Sequence, residues 1–198
     1  MRDHAELAPA FEVLLAVGGQ CGLPILVLTS LRSRRVNPSS TFVNLCLTLI
    51  IHSLVFCLLI YTGQNDGRQV NRALCVSQAA MIMGILPTVC TAALMVVLQT
   101  WATFQDPGSA IFVAFERPHV RFMLLAAPYI TFLGYMLGSI LVATSRPDSA
   151  LAMNGLFCTF HLEAIWHFLT PLSCLVLLIV MTALEAVIVV RWYRQWYY

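Results

Sequence analysis

The sequence predicts an all-α fold, a polytopic transmembrane helix bundle with five spans that forms one domain over residues 1–198. Of the 198 residues 60% are hydrophobic and 10% are charged, whereas a soluble domain carries about 25% charged residues. Five stretches without Asp, Glu or Arg run for 19, 30, 33, 24 and 21 residues, and a spanning helix needs roughly 20. These runs are continuous, whereas a transmembrane barrel alternates over segments of about 10 residues. Soluble and disordered classes are therefore excluded.

The five helices follow from these stretches once their polar ends are trimmed. They are predicted near 12–31, 41–62, 76–104, 121–144 and 165–190. The leader Met1–Glu12 has three acids and one arginine, so the first helix does not fit a signal peptide, whose leader is basic. Proline occurs in every helix except the second, at Pro24, Pro87, Pro128 and Pro171. A proline inside a span frees a backbone carbonyl and permits a kink.

The distribution of arginine predicts the orientation of the bundle. Five spans put the two ends of the chain on opposite sides, and the arginines divide seven to four between those sides. The seven are Arg32, Arg34, Arg35, Arg117, Arg121, Arg191 and Arg194. Because the cytosolic side of a membrane protein collects basic residues, we expect the N-terminus outside and the C-terminus in the cytosol. The expected location is the plasma membrane.

Two of the seven cysteines fall outside the predicted spans. Cys75 lies at the outer mouth of the third helix, and Cys158 lies in the outer loop between the fourth and fifth helices. Disulfides persist on the oxidising side of a membrane. The sequence therefore predicts a Cys75–Cys158 bridge that holds the loop over the bundle, with two free thiols as the alternative.

Polar side chains recur at helical spacing and indicate faces turned away from lipid. On the second helix these are Thr41, Asn44, Thr48 and His52; on the third they include Ser77, Thr88, Thr91 and Gln99. Most serine and threonine members are expected to bond between helices. Gly18–Gly22 and Gly134–Gly138 are small-residue pairs that predict close helix contacts.

Three ionisable residues in or near the spans are candidates for function. His52 is the one ionisable residue near mid-membrane, which makes it either a ligand contact or a neutral histidine bonded to a neighbouring helix. Glu163 and His167 lie four residues apart near the outer end of the fifth helix. A metal site there lacks a third ligand, so no metal is expected. Glu185, near the inner end, is expected to snorkel or to pair with an arginine such as Arg191.

Catalytic and cofactor motifs are absent from the sequence. The chain has no Walker-type loop, GxSxG, HExxH or kinase signature, and no second histidine at depth to clamp a haem. We expect neither an enzyme nor a cofactor. The net charge of +2 is small and scattered, so nucleic acid is not an expected partner. The lipid bilayer is the expected surrounding.

Two short segments of the predicted third and fourth helices stand out, Leu74-Cys-Val-Ser-Gln-Ala-Ala80, with Pro87 following, and Ala127-Pro-Tyr-Ile-Thr-Phe-Leu133. Both resemble receptor-like seven-helix membrane proteins of basidiomycete fungi. Together with the arginine-rich first loop and the two outer cysteines, they are similar to the first five helices of a G-protein-coupled-receptor-like protein. The resemblance covers nearly all of the chain.

The resemblance implies a receptor that senses an external small molecule or peptide between helices two, three and five, and that contacts a G protein inside. The implied ligand contacts are His52, Ser77, Gln78, Glu163 and His167. The implied cytosolic partner surface consists of Arg32, Arg34, Arg35, Glu116 and Arg117.

The sequence departs from rhodopsin-like receptors at several points. Asn44, Thr48 and His52 stand on the second helix where those receptors carry an acid. Thr100-Trp-Ala-Thr-Phe104 occupies the region of their Asp/Glu-Arg-Tyr motif, and the fourth span lacks their tryptophan. Such receptors also move a sixth helix to signal, so coupling is expected to need helices beyond these five. The alternatives are a small transporter or channel subunit that oligomerises, and a non-signalling membrane scaffold.

Overall fold

The computed structural model describes residues 8–33, 38–63, 71–106, 108–145, 150–153, 157–160 and 164–197. At residues 8, 145, 150–153, 164–167 and 195 it describes the backbone alone. Within these ranges the chain is helical apart from one short β-hairpin.

The helices appear in the order that the apolar stretches predict. A continuous first segment consists of α1 (Ala8–Leu14), a π-helical stretch (Leu15–Gly22) and α2 (Leu23–Arg32). The remaining helices are α3 (Ser40–Phe56), α4 (Leu58–Tyr61), α5 (Arg72–Thr103), α6 (Ala110–Glu116), α7 (Pro118–Ser145) and α8 (Ala164–Tyr197).

Four helical segments are long and apolar enough to cross a membrane. They are Pro9–Arg32, Arg72–Thr103, Pro118–Thr144 and Phe168–Arg194. The predicted first, third, fourth and fifth helices are therefore confirmed as helices of spanning length. Among the described residues, α3 is a shorter apolar helix of 17 residues.

The predicted second helix is divided at Cys57. This residue has φ −83° and ψ 4°, which ends α3, and α4 then continues the path for four residues. The Nε2 of Gln78 on α5 donates to the carbonyl oxygen of Val55, at 3.0 Å, just before the break. The break was not predicted, because this donor lies 23 residues away in sequence.

Helix α5 lies at the centre of the bundle and packs against α3, α7, α8 and both strands. In its most apolar 18-residue window 39% of the residues are buried, against 11% for α7, 6% for the first segment and 0% for α8. The core is therefore built around α5, while α8 presents nearly all of its surface outward.

An antiparallel hairpin, which the sequence did not predict, joins α7 to α8. Strand β1 (Ala150–Met153) pairs with β2 (Phe157–Phe160), with Ala152 opposite Cys158. Strand β2 packs on α5, and Cys158 and Phe160 are buried there. We call this end of the bundle the hairpin end, and the other the opposite end.

Close helix contacts form at glycines other than the predicted pairs. A Cβ on Gly84 of α5 would lie 2.9 Å from the carbonyl oxygen of Phe132 on α7, and one on Gly19 would lie 2.5 Å from the Cβ of Ser53. At Gly18 and Gly134 a Cβ would meet nothing within 4 Å, and at Gly22 it would meet only its own segment's Val17 carbonyl. The close contacts that these two spacings allow are therefore not formed at Gly18, Gly22 or Gly134, since spacing alone does not say which face of a helix meets a neighbour.

Candidate functional site

The hairpin is fixed to the bundle by a disulfide bond and a buried amide. Cys75 on α5 and Cys158 on β2 form the disulfide, with Cα atoms 5.2 Å apart, and this confirms the predicted pair. One turn along α5, the side chain of Gln78 is fully buried. The backbone N–H of Cys158 donates to Gln78 Oε1 at 3.0 Å, while Gln78 Nε2 donates to Val55. Gln78 therefore joins α3, α5 and β2.

An aromatic cluster lies beside this anchor. The Phe56 ring contacts His52, Phe157 and Phe11, with ring centroids 4.7, 5.3 and 6.1 Å apart. Phe157 precedes the disulfide-bonded Cys158 on β2, so the hairpin contributes one wall of the cluster. Residues of the first segment, α3 and the hairpin are thus brought together around Phe56.

His52 brings an unsatisfied polar atom to this cluster. Its Nδ1 atom is buried and has no hydrogen-bond partner among the described residues. A buried polar atom without a partner costs about 1–3 kcal/mol, so a native structure that keeps one calls for an explanation. A ligand that supplies the missing hydrogen bond is one such explanation.

The other predicted ligand contacts are placed differently. Ser77 is exposed and donates to the carbonyl oxygen of Leu74 on its own helix, at 2.9 Å. Both ends of the Gln78 amide are engaged within the protein. Glu163 lies outside the described residues, and His167 lies in the first turn of α8 with its side chain outside them.

The polar stripe of α3 bonds mainly to neighbouring helices towards the opposite end. Asn44 Nδ2 donates to the Leu125 carbonyl at 3.2 Å, and the Tyr129 hydroxyl donates to Asn44 Oδ1 at 2.6 Å. Thr41 donates to the Gln99 side chain on α5. These bonds hold α3 against α5 and α7.

The two threonines of the predicted stripe on the third helix bond within that helix, as far as the structure describes it. Thr88 and Thr91 each donate to a carbonyl four residues back, those of Gly84 and Pro87, at 2.8 Å. Thr48 likewise donates to Leu45 on α3. The expectation of interhelical bonds was wrong for these three, because a threonine hydroxyl in a helix reaches its own preceding turn.

The predicted partner surface is exposed where the structure describes it. Arg32 and Arg117 are exposed, and Glu116 pairs with Arg121 at 3.0 Å. Arg34 and Arg35 lie outside the described residues. Arg191 of α8 donates to Gln105 Oε1 at 2.6 Å. Of the two alternatives expected for Glu185, pairing with Arg191 is therefore not found among the described residues, and the Glu185 side chain is exposed.

The phenylalanines around His52 were not singled out from the sequence. Phe11, Phe56 and Phe157 belong to three separate elements, and no spacing links them. In an apolar chain with 11 phenylalanines, the residue type alone carries no signal. Within the described residues no group of three metal-ligating side chains comes together.

No family model, curated protein or solved structure matches the chain.

Proposed function

We propose that the chain is a receptor-like integral membrane protein of the plasma membrane that takes an external small molecule or peptide into the cluster around His52. The unpartnered Nδ1 of His52 carries this proposal. It sits against the Phe56 ring, next to a hairpin that the Cys75–Cys158 disulfide holds in place. Small-molecule sites are lined mainly by hydrophobic and aromatic side chains, with a few polar groups that orient the ligand.

The proposed orientation follows the arginine distribution, with five crossings and the hairpin end outside. In this orientation α3 and α4 together form the second crossing. They extend from Ser40 to Tyr61, and roughly 20 residues are enough for a helix to cross the bilayer. The hairpin then lies on the oxidising side, where its disulfide is stable.

The proposed cytosolic surface lies at the opposite end. Arg32, Arg117 and the Glu116–Arg121 pair are exposed there, and Arg34 and Arg35 would add to them. By resemblance its partner is a G protein.

The experiment tests whether water reaches His52 from the hairpin side. In His52→Cys, a trimethylammonium methanethiosulfonate reagent applied outside intact cells should modify residue 52, as read by mass spectrometry of that peptide. The matched control is Ile51→Cys, an exposed apolar position on the same helix turn, which should stay unmodified because lipid suppresses thiolate formation. An inert His52→Cys, or equal labelling of both, would contradict the proposal.

One observation favours an assembly role as the second candidate function. The apolar window of α8 is 0% buried, and a cavity of about 380 Å³ between α5 and α8 is lined by Glu185. A second copy packed on α8 would cover a charge that is costly in lipid. Such an oligomer fits a transporter or channel subunit, or a scaffold. Cross-linking between α8 helices, with Leu178→Cys as the probe, would support it, whereas a monomer in nanodiscs would not.

A further inference from the structure

A second cavity lies between α5, α7 and α8, away from His52. Its volume is about 440 Å³, within the range of roughly 300–1,000 Å³ that is typical of ligand sites. Its lining consists of Pro87, Thr91, Thr131, Tyr135, Leu169, Leu172, Ser173, Val176 and Leu177. These side chains include no charge, and no residue of α3 takes part.

The cavity opens sideways from the bundle, since the lining residues Leu169, Leu172 and Val176 of α8 are exposed. Thr131 and Tyr135 lie 14 and 10 residues before the end of α7 at Ser145, which at 1.5 Å per residue places them about 21 and 15 Å from that end. With α7 and α8 crossing the membrane as in the proposed function, on which this step rests, a ligand reaches the cavity through the hydrocarbon.

The hydroxyls of the lining restrict the chemistry of the ligand. Thr91, Thr131 and Ser173 donate their protons to carbonyls of their own helices, at 2.8, 3.0 and 2.8 Å. Each hydroxyl oxygen keeps a lone pair that accepts a hydrogen bond. The Tyr135 side chain lines the cavity, and its hydroxyl makes no hydrogen bond to the described residues, so it can donate to a ligand.

A hydroxyl group matches this arrangement, since it both donates and accepts. A carbonyl or an ether accepts from Tyr135 but offers nothing to the three acceptors. A charged headgroup would enter a cavity whose described lining holds no opposite charge, which is costly in lipid. We propose that the α5–α7–α8 cavity binds an uncharged lipophilic alcohol, of the isoprenoid or sterol kind, drawn from the bilayer.

The experiment compares a diazirine-bearing isoprenoid alcohol with its methyl ether, using the full chain in lipid nanodiscs. Labelled peptides are mapped by mass spectrometry. The alcohol should label segments 129–137 and 169–177 about two- to tenfold more than the ether. This ratio corresponds to the net free energy of one hydrogen bond. Equal labelling by the two probes, or labelling elsewhere in the chain, would overturn the proposal.

Variants separate the polar contribution from the shape of the cavity. A triple change Thr91→Val, Thr131→Val and Ser173→Ala removes the acceptors, so the alcohol should fall to the level of the ether while the ether is unchanged. Leu177→Trp, at a half-buried lining position, fills the cavity and should abolish both signals, with Leu175→Trp, at an exposed position outside the lining, as its control. Equal losses for alcohol and ether in the triple variant would contradict the hydroxyl assignment.

Tyr135→Phe should reduce labelling by both probes, because each accepts a hydrogen bond from Tyr135. Its matched control is Tyr129→Phe, which removes a hydroxyl that bonds to Asn44 outside the cavity and should leave labelling unchanged. Each variant is also checked for an intact Cys75–Cys158 bridge on a non-reducing gel. If Tyr129→Phe and Tyr135→Phe behave alike in a protein that keeps the bridge, the site is not the one proposed.

Discussion

At the scale of single residues, Gln78 holds together the hairpin end. Its one amide accepts from Cys158 of β2 and donates to Val55 at the end of α3. Ser77, its neighbour in sequence, is exposed and bonds only to its own helix. Two adjacent polar residues therefore have different roles, one structural and one at the surface.

Replacing Gln78 by leucine should destabilise the protein by about 2–6 kcal/mol, because two buried backbone groups lose their partners at about 1–3 kcal/mol each. Ser77→Ala is the matched control and should change stability by less than about 0.5 kcal/mol. The measurement is the midpoint of thermal unfolding in detergent. Similar midpoints for the two variants would show that the Gln78 amide does not contribute this stability.

The residue scale is also where sequence reasoning fell short. The resemblance implied ligand contacts for both Ser77 and Gln78, and nothing in the sequence separated a buried cross-link from an exposed hydroxyl. The partners of Gln78 lie 23 and 80 residues away, so its role depends on the packing of three elements. Cys75 and Cys158 were predictable because they are the two thiols outside the predicted spans and on the predicted outer side.

At the scale of elements, two contacts fix α7 and β2 against α5. Gly84 brings α5 against α7 at the Phe132 carbonyl, and the disulfide brings β2 against the start of α5. Four helices of spanning length were predictable from charge-free length, but their ends were not, since α5 begins at Arg72 rather than near residue 76 and α8 continues past Arg191 and Arg194 to Tyr197. The break at Cys57 and the hairpin were not, since both depend on partners that are distant in sequence.

Gly84→Ala should destabilise the bundle by about 1–3 kcal/mol, because its Cβ would lie 2.9 Å from a backbone oxygen that cannot move without shifting α7. Gly134→Ala should instead be neutral or stabilising by up to about 1 kcal/mol, since that Cβ meets nothing within 4 Å and alanine favours the helix. Thermal unfolding of both variants checks the opposite signs. A shift in the same direction for both would contradict the close contact.

Cys75→Ser and Cys158→Ser should abolish the same mobility shift between reducing and non-reducing gels, because each removes one half of a single bond. Cys174→Ser, which removes a free thiol in α8, should leave the shift unchanged. Unequal effects of the first two changes would mean that one of these cysteines pairs elsewhere.

At the scale of the whole molecule, burial is graded from the centre outward. In the 18-residue apolar stretch of α5, 39% of the residues are buried, whereas none is buried in the corresponding stretch of α8. Such exposed apolar surface is stable only where lipid or another helix covers it. The membrane is therefore part of the structure, and the orientation of the bundle in it decides which end meets which partner.

A protease recognition site inserted at residues 154–156, between the two strands, should be cut when protease is added to intact cells. The same site inserted at residues 106–108, between α5 and α6, should be cut only after the cells are permeabilised. The difference follows from the proposed orientation, in which arginine-rich loops face the cytosol. External cleavage at 106–108 alone would mean that the orientation is the reverse of the one proposed. External cleavage at both sites would mean that the chain crosses the membrane fewer than five times.

The disulfide spans 83 residues, and this separation has a consequence for synthesis. At about 5–20 residues per second, a ribosome takes roughly 4 to 17 s to make the chain between the two cysteines. In the proposed orientation, Cys75 therefore remains a free thiol in an oxidising lumen while α5 and α7 are inserted. A translation delay within α7 would prolong that interval and raise the yield of nascent chains captured as mixed disulfides by an oxidoreductase.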